Sequence, residues 1–270
     1  MTIGRFAGRR ALVTGASRGI GAGIAERLAA EGADVVITAR TRTEHDHLPG
    51  SLEATAARMG AHGTTVGVVV ADLADAADRQ RIVPEAVAVL GGPIEILINN
   101  AAAAMYGPVA EFSVKRSRIL FEVNVLAPLD LAQAVLPAMV VAAEGWIVNL
   151  SSGAARPRSG PPFEVGQQGS ATTMYGASKA ALNRVTNGLA VELYGTGVRV
   201  NTIEPRAAVL TEGAARLVGS TLRPDQIESL DQMIEAVLML CDCSPQVTGQ
   251  TAVSLDLLES AGQDPVPPDR

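Results

Sequence analysis

TGASRGIG, residues 14–21, decides how the rest of the chain is read. It joins a β-rich run, Arg10 to Thr14, to a helical run, Ile20 to Glu31, that stops at Gly32. Gly15, Gly19 and Gly21 let the backbone turn sharply and come close to a pyrophosphate. The helix that follows offers free N–H groups and the positive end of its dipole. A bare strand–helix turn would use the same glycines, but this placement favours a phosphate ligand.

Outward from the turn, short β-rich runs alternate with helical ones. Strands are expected at Asp34 to Ala39, Thr65 to Val70, Ile94 to Asn99, Trp146 to Leu150, Val198 to Ile203 and Thr251 to Leu255. Helices are expected at Leu52 to Met59, Ala76 to Leu90, Phe112 to Met139, Thr173 to Tyr194 and Pro224 to Leu240. Pro128 and Pro137 are expected to bend or cap the long fourth helix. Such alternation argues an α/β fold: one doubly wound domain with a mainly parallel sheet and helices on both faces. Two irregular stretches, about 153–173 and 206–223, follow strands on the side where such folds bind ligands.

Composition agrees. Of 270 residues 47% are hydrophobic but only 3% aromatic, so the core must be aliphatic, as in buried parallel sheets. The net charge is -6 with signs interspersed, and no basic tract points to nucleic acid. No stretch reaches the ~18 apolar residues of a membrane span, and the apolar run before Gly15 is too short for a signal peptide. A cytosolic protein is expected, with no membrane partner. Cys241 and Cys243 read as small apolar residues late in a helix, and His45 and His47 as polar loop residues; no metal site is expected.

The second strand ends at Ala39 and is followed by Arg40. A binder of NAD usually carries an acid there for the ribose 2′-hydroxyl. Arg40, with Arg18 inside the glycine turn, suits a 2′-phosphate instead, which points to NADP(H). Tyr175 and Lys179, in YGASK, lie one helical turn apart on one face. An ammonium beside a phenol favours the phenolate, and a phenol so tuned can exchange a proton with an alcohol or carbonyl oxygen.

With TGASRGIG, the Asn99–Asn100–Ala101 triplet, Asn124, Ser151–Ser152 and the Tyr175–Lys179 pair, the chain resembles the short-chain dehydrogenase/reductase family over roughly Arg9 to Leu257. The resemblance implies a single Rossmann-like domain over residues 1–270 with a seven-stranded sheet. It implies catalytic roles for Asn124, Ser152, Tyr175 and Lys179. Tyr175 would be the general acid in reduction, Lys179 would depress its pKa and hold the nicotinamide ribose, and Ser152 would bond the substrate oxygen. Asn124 would hold a water that links Lys179 to solvent. Cofactor contacts would come from Gly15, Ser17, Arg18, Gly19, Ile20, Gly21, Arg40, Asp72, Leu73, Asn99, Ala101, Tyr175, Lys179 and Pro205. Asp72 would meet the adenine edge, and Asn99 and Ala101 the adenosine side. A homo-oligomer, a tetramer or dimer, is implied too.

Three departures bear on the substrate: Ala102 and Arg206 where the family usually has glycine, with Thr211 then out of register, and a long segment before Tyr175 that would form a flap at Gly160 to Gln168. Ala103, Met105, Ala154, Val209 and Leu210 are expected as apolar walls, with Arg156, Arg158 and Arg206 as nearby cations. The expected function is an NADP(H)-dependent oxidoreductase acting on a largely apolar small-molecule carbonyl or secondary alcohol. The alternative is a non-catalytic NADP(H)-binding regulator on the same fold.

Overall fold

The chain was analysed as a computed structural model that describes residues 4–44, 49–163, 171–211 and 227–262. Strands β1 (Arg10–Thr14), β2 (Asp34–Ala39), β3 (Val66–Val70), β4 (Ile96–Asn99), β5 (Gly145–Leu150), β6 (Val198–Glu204) and β9 (Thr251–Val253) form one parallel sheet in the order β3-β2-β1-β4-β5-β6-β9. Its inner strands read as unbroken apolar runs because both faces are covered. Val13, Ile37, Ile98, Val148 and Ile203 point into one core, while Leu12, Val36, Leu97, Ile147 and Val200 point into the other. Helices α1 (Gly19–Ala30), α2 (Leu52–Gly60) and α7 (Leu230–Cys241) supply the first core through Ile24, Leu28, Leu52, Met59, Met233 and Val237. Helices α3 (Ala76–Leu90) and α5 (Ala127–Ala142) supply the second through Ile82, Leu131, Val135 and Met139.

Local chemistry sets the helix ends. Ser51 accepts from the amide of Ala54 and Asp75 from that of Ala77; α3 stops at Gly91, whose φ of +66° suits glycine. Ser229 and Gln232 form a reciprocal capping box at the start of α7. Helix α7 thus starts at Leu230, not at Pro224. Ile227–Glu228 is instead a short strand, β8, paired in parallel with β7 (Ala208–Val209). The last strand also ends sooner than expected, at Val253, because Ser254–Ser260 turns into helix α8.

The long fourth helix is three pieces: α4 (Val114–Phe121), a π-turn (Glu122–Leu126) and α5. The bend falls at the π-turn, with Pro128 in the first turn of α5. Proline has no N–H to give to the carbonyl four residues earlier, which is that of Asn124. Val114–Ala142, 29 residues of which an 18-residue window has mean hydropathy 1.8, is long and apolar enough to cross a membrane by length and composition, which corrects the expectation that no stretch is. Here it packs on the sheet, and buried Arg79 of α3 donates to Glu122 and Asp130 at 2.9 and 2.6 Å.

Strand order reverses about β1, whose neighbours are β2 and β4. Such a reversal opens a crevice beyond the strands' carboxyl ends. The glycine turn stands there after β1, and Ser151–Ser152 after β5. Helix α6 (Thr173–Glu192), packed on the second face, carries Tyr175 and Lys179.

Candidate active site

The glycine turn is tight. Gly15 and Gly19 have φ of +67° and +54°, where a side chain is strained. A Cβ on Gly15 would lie 2.7 Å from Cα of Ala101, and one on Gly21 would lie 2.6 Å from the carbonyl oxygen of Gly15. Helix α1 begins with no side-chain cap at Arg18, so its first amides face the crevice without a capping oxygen. Asn100 holds this turn to β4. It donates Nδ2 to the carbonyls of Thr14 and Gly15 at 2.9 and 3.1 Å, and its own amide donates to Oγ1 of Thr14. Sequence reasoning had looked to its neighbour. The side chain of Asn99 is buried and donates to Oδ1 of Asn149 at 2.8 Å. Strand alternation is the signal that separates the two asparagines.

Arg18 donates Nη2 to the carbonyl of Gly50 at 3.0 Å, and its buried Nε has no partner among the described residues. A cavity of about 630 Å3 opens beside it, lined by Ser17, Gly19, Gly50, Arg58 and His62 among others. Gly50, Arg58 and His62 were not singled out in the sequence; their positions follow from how the loop after β2 folds back over the glycine turn. Arg40 is exposed at the end of β2. Asp72 accepts the amide of Ala74 at 3.0 Å, so part of its carboxylate caps its own turn. The carbonyl of Leu73 accepts from Arg79 at 2.8 Å. An unpaired guanidinium Nε, uncapped amides and glycines that a Cβ would crowd fit the phosphates of a dinucleotide. The residues that would hold it are Gly15, Ser17, Arg18, Gly19, Ile20 and Gly21.

At the end of β5, Ser152 accepts the amide of Ala154 at 3.2 Å and begins a 3-10 turn, Gly153–Ala155. Its hydroxyl lies beside that of Tyr175. Burial pushes the Tyr175 phenol up to about 12, with a contribution from Tyr106, while Ser152 draws it down. The expected depression by Lys179 is therefore corrected. Lys179 is 2% exposed and sends Nζ to the carbonyl of Leu150 at 2.7 Å, and burial lowers its own pKa to about 8. A desolvated ammonium loses proton affinity, and a desolvated phenol keeps its proton.

Asn124 is fully buried in the π-turn. Its Oδ1 accepts from the amide of Ala103 at 2.8 Å, and Nδ2 donates to the carbonyl of Ala103 and to Oγ of Ser178, both at 3.0 Å. The side chain has no donor left for a water. What it does is clamp the Ala101–Met105 stretch against α6.

Tyr106 is the residue that sequence reasoning missed here. Its ring meets that of Tyr175 edge-on, 5.5 Å between centroids at 78°. Arg116 donates to its carbonyl at 2.9 Å, and the amide of Gly107 donates to the carbonyl of Ala171, just before α6. Among the expected walls, Ala103, Met105 and Ala154 are only partly buried, whereas Val209 is packed in the first core and Leu210 is exposed. The methyl of Ala102 is exposed. Two of the three cations are spent: Arg156 on Glu204, and Arg206 on Asp256 and Glu259 of α8. Pro205 stays partly exposed at the end of β6. A cavity of about 860 Å3 lies between Gly153–Gly160 and α6, lined by Arg158, Gly176 and Ala180, which flank the Tyr175 face rather than share it. Most of the expected flap at Gly160 to Gln168, most of 206–223, and His45 and His47 lie outside the described residues.

A parallel doubly wound sheet with a glycine turn at its reversal and a serine–tyrosine–lysine set beside it defines a nucleotide-binding enzyme fold. The sequence matches the short chain dehydrogenase family over residues 9–218, and the chain belongs to that family. It is 29% identical over 260 residues to hydroxysteroid dehydrogenase-like protein 2 of Danio rerio, covering 96% of this chain and 60% of that protein, so it spans under two thirds of that relative's length. It is 31% identical over 260 residues to oxidoreductase UcpA of Salmonella typhimurium, covering 96% and 91%. The solved structure of a 3-oxoacyl (acyl-carrier-protein) reductase from Agrobacterium tumefaciens C58 with NADP bound superposes with a TM-score of 0.78 at 29% identity, covering 93% of this chain and 95% of that one.

Proposed function

We propose that the chain is an NADP(H)-dependent oxidoreductase that reduces a neutral, largely apolar carbonyl or oxidises the corresponding secondary alcohol. The observation that carries this reading is that α6 brings Tyr175 beside Ser152 at the end of β5, with Lys179 anchored on Leu150 two residues before Ser152. The nicotinamide, when bound, supplies or receives the hydride. Tyr175 gives its phenolic proton to the substrate oxygen as the carbonyl becomes an alcohol. Ser152 holds that oxygen by its hydroxyl and stabilises the charge that gathers there. Lys179 has further N–H bonds with which to hold the nicotinamide ribose. The phenol keeps its proton up to about 12, so at neutral pH it stands in the protonated form that reduction needs.

Preference for NADP(H) rests on Arg18 with its unpaired Nε, on Arg40, and on the absence of an acid at the end of β2; the NADP-bound reductase from Agrobacterium tumefaciens is consistent with it. With Arg156 and Arg206 paired to carboxylates of the chain itself, a neutral substrate suits the site. Exposed Val141 (89%), Tyr194 (80%) and Val191 (70%) on α5 and near the end of α6 suit a homo-oligomer, and a cytosolic setting belongs to the same reading. The test is a panel of ketones and aldehydes followed by nicotinamide absorbance, with NADPH and NADH side by side. Turnover that is faster with NADH would remove the Arg18 and Arg40 assignment. Tight NADPH binding without turnover of any carbonyl would favour the regulator.

A further inference from the structure

We infer that Glu204 is a positioning residue: through Arg156 it fixes the turn that presents the Ser152 hydroxyl to Tyr175. The role rests on the oxidoreductase reading. Strand β6 ends in a carboxylate with no exposure at all. A carboxylate taken out of water is costly unless it is paired. Arg156 pairs it, donating Nε to Oε1 at 2.5 Å with Nη2 on the same oxygen. The other oxygen, Oε2, has no partner among the described residues, so within them Arg156 is the one cation on this group. The arginine side chain is 58% exposed, so it reaches inward from the rim to do this.

Arg156 closes the turn that Ser152 opens. Its amide donates to the carbonyl of Gly153 at 3.2 Å, Ala155 donates to the carbonyl of Ser152 at 2.9 Å, and Ala154 donates to Oγ of Ser152 at 3.2 Å. Three hydrogen bonds within five residues thus join the guanidinium to the hydroxyl. On the other side the turn lies against α6, where Gly176 has no Cβ; one there would collide with the carbonyl of Ala154. Gly176 adjoins Tyr175. The turn is therefore held between the buried carboxylate that ends β6 and the helix that carries the phenol, with Ser152 beside Tyr175 in between. A pair that served stability alone would need no such connection to Ser152.

The test is the double variant Glu204→Leu/Arg156→Met, which removes both charges together and so leaves none buried alone. Expected are an unchanged NADPH Kd, a substrate KM within about threefold of wild type, and kcat lower by about 10–100-fold, the scale of a misplaced reacting group. Arg156→Lys should recover part of kcat. Glu204→Gln, which keeps the shape, should fall between and serves if the double variant does not fold. Hydrogen–deuterium exchange gives a readout apart from catalysis: the amides of Ala154, Ala155 and Arg156 should exchange faster in the variants, with α6 unchanged. Wild-type kcat and wild-type exchange in a folded variant would overturn the role and leave a stabilising ion pair. If wild type itself reduces no carbonyl, the oxidoreductase reading fails separately, and the exchange arm still decides whether the carboxylate holds the turn.

Discussion

Replacing Lys179 by methionine should change the way stability depends on pH. The ammonium is 2% exposed, and burial lowers its pKa from 10.5 to about 8. In the unfolded chain the same lysine titrates normally. Between about 8 and 10.5 the unfolded state therefore binds more protons than the folded one, and wild-type stability rises with pH across that window. Below it, holding the charged group inside costs the full difference. At ~1.4 kcal/mol per pH unit, the cost is about 3 kcal/mol at pH 7 and shrinks to about 1 kcal/mol at pH 10. Methionine abolishes this dependence. It also strips the carbonyl of Leu150 of its donor, at about 1–3 kcal/mol, but a neutral amine donates as an ammonium does, so that loss is nearly constant with pH. Urea unfolding of both proteins without cofactor at several pH values isolates the term, because every other titrating group is shared. The variant's stability relative to wild type should fall by roughly 2–3 kcal/mol between pH 7 and pH 10. Parallel curves would show that Lys179 is not desolvated as its surroundings imply, and the assignment of its pKa would be wrong.

Tyr175→Phe should lower kcat for reduction by about 10²–10⁴, with NADPH affinity unchanged, in steady-state and fluorescence titrations. In wild type the oxidation rate should keep climbing with pH, since the phenol holds its proton up to about 12. Asn100→Ala removes two bonds that pin the glycine turn and should cost about 2 kcal/mol in urea unfolding and weaken NADPH binding by about tenfold. Tyr106→Phe keeps the edge-on contact with Tyr175 and should leave kcat/KM within about threefold, whereas Tyr106→Ala loses a ring contact of about 0.5–1.5 kcal/mol and should lower it by about tenfold.

Much of this architecture was open to a reader of the sequence, because the signals that reveal it are local. A glycine turn between a strand and a helix, or a tyrosine and a lysine one helical turn apart, needs only neighbours along the chain. The readings that went astray depended on contacts far away in sequence. The bonds by which Asn100 pins the glycine turn were not read at all, because they depend on which face of β4 meets Asn149, 50 positions on from Asn99. The Tyr175 pKa was read from its helical neighbour, yet burial by the surrounding fold outweighs that neighbour. Tyr106 carried no motif, and the Gly107–Ala171 bond ties its loop to the start of α6, where the phenol stands. Arg156 and Arg206 read as free cations because their carboxylates lie 48 to 53 residues downstream. Glycine at 206 would have bound no such partner. With arginine there, the residue after Pro205 is tied by its side chain to Asp256 and Glu259 and by its amide to the buried Glu228 and to Ser254. The departure from the family pattern thus fastens the chain to α8 just where it leaves β6.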